Sequence, residues 1–181
     1  MVILARHSAL VVAALAVLPA CTEGAAPPST PGAAAGSVKV GDVAPPLDVE
    51  AVGGKGRVSI PKGKVVLVDF WATWCGPCKE SFPAYQDLYV KLRDSGFEIV
   101  AVSADEPDEK PSIPAWLAAR GRKATFLVGW DDSRSAPKRW GVSAMPTAFL
   151  VDRKGVVRHV HAKFEGKKDV DELEKQIKSL L

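Results

Sequence analysis

The stretch Val65-Val66-Leu67-Val68-Asp69-Phe70-Trp71-Ala72-Thr73-Trp74-Cys75-Gly76-Pro77-Cys78-Lys79 decides how the chain is read. Its first half, Val65 to Trp71, is a nearly continuous apolar run, the pattern of a strand buried on both faces of a sheet. Residues 77–94 then place Phe82, Tyr85, Leu88, Tyr89 and Leu92 at helical spacing, and Gly96 supplies a stop. Two cysteines three residues apart therefore fall where a buried strand turns into a helix.

That position has chemical consequences. Cysteines at this spacing can close a disulfide without unfolding anything. A helix start presents unpaired N–H groups and the positive end of the macrodipole, which favour a thiolate at Cys75. The thiolate is the nucleophile, and Cys-X-X-Cys motifs lower thiol pKa values. Cys78, one turn further in, is placed to attack a mixed disulfide on Cys75 and release the product. On this reading Cys75 is the exposed thiol and Cys78 the buried one. A purely stabilising disulfide explains the pair poorly, because so short a loop removes little entropy from the unfolded chain. Structural zinc needs four ligands. There is no second Cys-X-X-Cys, and His159 and His161 alternate on a strand pattern as ordinary strand residues, so no metal site is expected. Asp69 interrupts the apolar run. A buried carboxylate without a partner is costly and has a raised pKa; the alternative is an ion pair with a nearby lysine.

Working outward, Leu47, Val49 and Ala51, then Val58 and Ile60, alternate around Gly53-Gly54-Lys55-Gly56 and predict a β-hairpin. Phe97 to Ser103 reads as a second buried strand, closing a βαβ unit. Residues 111–120 predict a helix with Trp116 and Leu117 inward, Thr125 to Val128 a short strand, and residues 133–140 a short helix. Thr147 to Val151 and Val156 to Val160 predict two strands joined by a turn at Asp152-Arg153-Lys154-Gly155. Asp169 is expected to cap a final helix with Val170, Leu173, Ile177 and Leu180 on its buried side.

At the other end, Ala9 to Leu18 is an apolar run of ten residues, where a membrane-spanning helix needs about twenty. Residues 1–20 read as a cleavable secretory signal. Leu18-Pro19-Ala20-Cys21 resembles the lipobox of bacterial lipoproteins, which makes Cys21 the lipid attachment site; cleavage by the ordinary signal peptidase, leaving a free thiol, is the alternative. Residues 22–37 contain no large apolar side chain and read as a flexible tether, spanning on the order of 20–25 Å as a random coil. The expected organisation is thus a signal over 1–20, a lipidated cysteine and linker over 21–37, and one domain over 38–181, long enough to bury a core without staples. Of 181 residues, 47% are hydrophobic and 25% charged. The net charge of +3 comes from interleaved signs, which gives no reason to expect nucleic acid as a partner. Cys21, Cys75 and Cys78 are the only cysteines, too few for a disulfide scaffold.

The segment from Val66 to Lys79 resembles the active-site segment of thioredoxin-fold proteins. With the hairpin before it, Val43-Ala44-Pro45 and the lipoprotein-like start, residues 38–181 resemble the TlpA/ResA group of membrane-tethered, thioredoxin-like reductases. The resemblance implies an α/β, thioredoxin-like fold, a central mixed β-sheet flanked by helices with an added N-terminal β-hairpin. It implies Cys75 as the attacking and Cys78 as the resolving cysteine, and Asp69 as the buried acid that moves the proton of the resolving cysteine. Pro83 matches the proline that bends the active-site helix. Met145-Pro146-Thr147 matches the cis-proline loop facing the cysteines, so that Trp74, Met145 and Pro146 contact the substrate. One departure stands out. Many cytochrome-maturation members carry a glutamate three residues after the second cysteine, where this chain has Ser81, with Glu80 one position earlier.

The implied function is extracytoplasmic reduction of disulfides in exported proteins, on the periplasmic side. A membrane thiol–disulfide electron donor would recharge the enzyme, with no cofactor beyond the Cys75–Cys78 couple. Two alternatives stay open: the same couple acting as an oxidant, and a binding module or metal carrier that uses the fold without turnover. Cys75, Cys78, Asp69 and Pro146 together argue against the second. Peroxidases of related fold use a different cysteine context.

Overall fold

In the computed structural model, residues 37–119 and 124–181 are described. The signal sequence, Cys21 and residues 22–36 of the tether lie outside them, as does Arg120. Seven strands form one mixed sheet: β1 (Val49–Ala51), β2 (Arg57–Val58), β3 (Val65–Trp71), β4 (Phe97–Ser103), β5 (Leu127–Trp130), β6 (Thr147–Val151) and β7 (Val157–His161), in the order β2-β1-β5-β4-β3-β6-β7. The helices are α1 (Cys78–Leu92), α2 (Ile113–Ala119), α3 (Ala136–Trp140) and α4 (Lys167–Leu180). β3, β4 and β5 run parallel, and the flanking pairs β3–β6, β6–β7, β1–β5 and β1–β2 are antiparallel.

The continuous apolar runs follow from this topology. β3 and β4 are central and buried at every position. Their odd-numbered residues Val65, Leu67, Trp71, Phe97, Ile99 and Ala101 face a core shared with Phe82, Tyr85 and Leu88 of α1, Ile113 of α2, and Leu173 and Ile177 of α4. Val66, Val68, Phe70, Val100 and Val102 face the opposite core with Trp140 of α3, Leu47 and Val49. Each fully buried large apolar side chain of this kind contributes about 1.5–3 kcal/mol. After α1 a 3-10 turn, Arg93–Ser95, hands the chain to Gly96 at φ 97°, a left-handed conformation that favours glycine.

Several boundaries differ from the sequence reading. The strand expected at Thr125–Val128 lies two residues later. Thr125 is held by Gln86, which accepts its N–H at 2.8 Å and donates to its hydroxyl at 2.8 Å, while Val100 pairs with Leu127 and Ser103 with Trp130. The helix expected over 133–140 begins at Ala136, whose N–H the Asp131 carboxylate accepts at 2.7 Å. The helix expected over 111–120 is a 3-10 turn, Lys110–Ser112, followed by α2, and its fully buried anchor is Ile113, with Trp116 and Leu117 half-buried against the same core. β7 starts at Val157, Val156 being taken by an isolated bridge to Val43. Asp169 does not cap α4. Gly166 holds that position, and Asp169 lies in the first turn, accepting the Glu165 N–H.

Candidate active site

The chain leaves β3 at Trp71, and Ala104 N–H donates to the Trp71 carbonyl at 2.9 Å. It then turns through Ala72–Cys75, closed by Cys75 N–H to the Ala72 carbonyl at 3.1 Å. Cys75 and Cys78 are joined as a disulfide, their Cα atoms 5.3 Å apart. Cys78 is the first residue of α1, not one turn inside it, and its N–H points at the Cys75 sulfur at 3.2 Å. The helix end thus presents a donor to the sulfur of Cys75, the arrangement that favours a thiolate there. Cys75 is more enclosed than its position suggests: it is 4% exposed against 0% for Cys78. In the disulfide form both cysteines are buried residues. Trp74 instead stands out, 60% exposed.

Asp69 is wholly buried, neither of its carboxylate oxygens has a hydrogen-bond partner, and no ion pair reaches it among the described residues. The lysine pairing considered from sequence is therefore absent. The odd-residue alternation of β3 puts Asp69 on the α1 face, between Leu67 and Trp71. Its neighbours across the sheet are Ala101 and Ala148, whose methyl side chains offer it no hydrogen-bond partner. Desolvation pushes its pKa up to about 8. Tyr85, buried on α1, is raised well above the ordinary phenol value by burial first and by the Asp69 and Asp169 charges next.

The Met145–Pro146 bond is cis and Pro146 is buried. Thr147 pairs with Phe70 at the end of the β3–β6 ladder, so Pro146 lies one step beyond, level with the start of the cysteine turn. Met145 is half-buried against the core cluster that holds both cysteines. Pro83 sits inside α1. Ser81 is fully buried, its hydroxyl donating to the Cys78 carbonyl at 3.3 Å, whereas Glu80 is exposed on the helix surface. His159 and His161 both lie in β7, and His161 Nε2 is 2.8 Å from Gln176 Oε1.

Two residues escaped the sequence reading. Tyr85 was read only as part of an apolar stripe. Asp105, 1% exposed, accepts from Thr73 in the cysteine turn; its signal was its place just past the C-terminal end of a parallel strand, where sites in open α/β sheets gather.

The sequence profile of the AhpC/TSA family matches residues 40–160. The thiol-disulfide oxidoreductase ResA of Bacillus thuringiensis subsp. konkukian is 32% identical over 145 residues, 79% of this chain and 79% of that protein. ResA of Bacillus subtilis is 36% identical over 123 residues, 67% of this chain and 66% of that protein. Among solved structures, a thiol:disulfide interchange protein of Chlorobium tepidum described as DsbE superposes with a TM-score of 0.72 at 37% identity, covering 80% of this chain and 99% of that one. Family profile, relatives and fold agree with the strand–cysteine–helix junction: the chain belongs to the AhpC/TSA family, as a thioredoxin-like, ResA-like thiol–disulfide oxidoreductase.

Proposed function

We propose that the protein reduces disulfides of exported proteins outside the cytoplasm, held at a membrane by a lipid on Cys21. The observation that carries the reading is the Cys75–Cys78 disulfide at a helix start on the same sheet face as a buried, unpartnered Asp69. In the working direction the Cys75 thiolate attacks a substrate disulfide, and one substrate thiolate leaves. Cys78 gives its proton to the Asp69 carboxylate and attacks the Cys75 sulfur. This forms the Cys75–Cys78 disulfide and releases the second substrate thiolate, so two electrons pass to the substrate. Trp74, Met145 and the cis-Pro146 edge receive the substrate chain.

The raised value of Asp69 assigns it a second part. With the disulfide closed, a carboxyl titrating at about 8 is mostly protonated at neutral pH. When a membrane thiol–disulfide donor attacks Cys75 and expels Cys78 as a thiolate, Asp69 supplies the proton to that sulfur. The same group is donor in recharging and acceptor in turnover, as reversibility demands. The couple itself is the redox group, and no other cofactor enters the scheme.

The signal over 1–20, the tether over 21–37 and the domain over 38–181 fit this placement. No helix among the described residues is long and apolar enough to cross a membrane; the proposed attachment through Cys21 rests on the lipobox-like Leu18-Pro19-Ala20-Cys21. The test is trapping. Cys78→Ser, reduced and offered a peptide disulfide, should accumulate a mixed disulfide on Cys75, and Cys75→Ser should accumulate none. A stable adduct on Cys78 instead would reverse the two roles.

A further inference from the structure

Three donors converge on the buried carboxylate of Asp105. The Thr73 N–H reaches its two oxygens at 2.9 and 3.2 Å, the Thr73 hydroxyl lies at 2.6 Å and the Ser103 hydroxyl at 2.7 Å. The Asp105 carbonyl accepts the Trp130 indole N–H at 2.8 Å, which fixes the residue from behind. That support extends outward: the Lys110 ammonium stands 4.3 Å from the centre of the Trp130 ring and pairs with Glu50 of β1 at 2.6 Å.

Hydrogen bonds to a charged acceptor are roughly twice as strong as neutral ones, and a buried carboxylate is tolerated only when so satisfied. Along the turn, Trp71 is held by Ala104, Thr73 by Asp105, and Cys75 by the Ala72 carbonyl. Thr73 is the one residue between strand and nucleophile whose backbone is gripped by a charged side chain. The sulfur it positions accepts the Cys78 N–H at 3.2 Å.

We propose that Asp105 is a positioning residue for thiol–disulfide exchange: by clamping Thr73 it sets the Cys75 sulfur against the first amide of α1. The inference rests on Cys75 being the attacking thiol. A clamp acting through position and a carboxylate acting through its charge make opposite demands. Releasing the clamp lets the sulfur drift from the amide, destabilising the thiolate. Removing a nearby negative charge stabilises it.

The experiment is alkylation of the reduced full-length protein by iodoacetamide across pH, with Cys75 and Cys78 followed separately by mass spectrometry and the thermal midpoint recorded alongside. Asp105→Ala should move the midpoint of the Cys75 profile up by about one pH unit, slowing the reaction about tenfold below it. Thr73→Val, which leaves the carboxylate in place and removes one donor, should shift it the same way by less. Val157→Ala, in the core on the other side of the sheet, should lower the thermal midpoint and leave the profile where it is. A destabilised Asp105→Ala with an unmoved Cys75 profile would make Asp105 a structural residue only. Faster alkylation would make it an electrostatic one. Either result overturns the proposal. Should Asp105→Ala not fold, Thr73→Val decides on the same readout, an unmoved profile counting against the clamp. Preferential labelling of Cys78 in the unaltered protein would instead undo the assignment of the nucleophile, which separates the two failures.

Discussion

Asp69 keeps its proton far above the ordinary carboxyl value of 3.8 because burial removes water and no neighbour replaces it. The folded state holds a proton between 3.8 and about 8 that the unfolded chain has lost. Stability therefore falls as pH rises through that window, by about 1.4 kcal/mol for each pH unit. Asp69→Asn has no such proton. The variant should match the unaltered protein near pH 4 and exceed it increasingly up to pH 8, as read from thermal midpoints. Parallel pH curves for the two proteins would mean that the group is not buried uncharged. The same substitution should slow resolution of the mixed disulfide on the order of 10²-fold while altering the first attack less, and stopped-flow measurement with a disulfide substrate separates the steps. Asp69 was legible in the sequence because a lone acid in an apolar strand breaks the pattern. Asp105 was harder to single out, because its place just past the strand Phe97 to Ser103 is shared with Glu106, and only the fold brings Thr73 within hydrogen-bond reach of it.

β5 shows what binds the N-terminal hairpin to the sheet. Gly129 pairs with Ala51, and a Cβ on it would stand 2.3 Å from Val49 Cγ2 and 3.4 Å from the Glu50 carbonyl. Val49 is fully buried and has no solvent to retreat into. Gly129→Ala should push β1 off β5 and cost about 1–3 kcal/mol, seen as a lower denaturant midpoint; an unchanged midpoint would show that Val49 can turn aside. The elements that the sequence marked to the residue, β3, β4 and β6, are buried along their whole length and begin directly after Lys64, Gly96 and Pro146, which mark their starts. The start of β5 was displaced because Thr125 to Trp130 allows several four-residue windows, and the choice is made by Gln86 gripping Thr125 and by pairing with β4. The start of α4 was misplaced because Gly166, not an acidic side chain, begins it. Long-range pairing and backbone caps of this kind leave little trace in local pattern.

For the whole molecule, the proposed lipid on Cys21 would hold the redox domain at a membrane. Membrane fractions of cells producing the unaltered chain should retain it, and Cys21→Ser should release it or leave it unprocessed; an unaltered protein found entirely in the soluble fraction would remove the anchor from the scheme. The thioredoxin-like frame was legible because one segment, Val65 to Lys79, carries the strand, the cysteine pair and the helix start together. The cis-Pro146 edge followed from resemblance alone, since nothing in Met145-Pro146-Thr147 itself selects the isomer. The central claim is that the Cys75–Cys78 couple gives electrons to its substrates. Equilibration of the full chain against glutathione and dithiothreitol buffers, with the two thiols followed by alkylation, measures its reduction potential directly. A disulfide reductase should lie near the reducing end, at about −270 mV, whereas a value near −120 mV would belong to an oxidant and contradict the account.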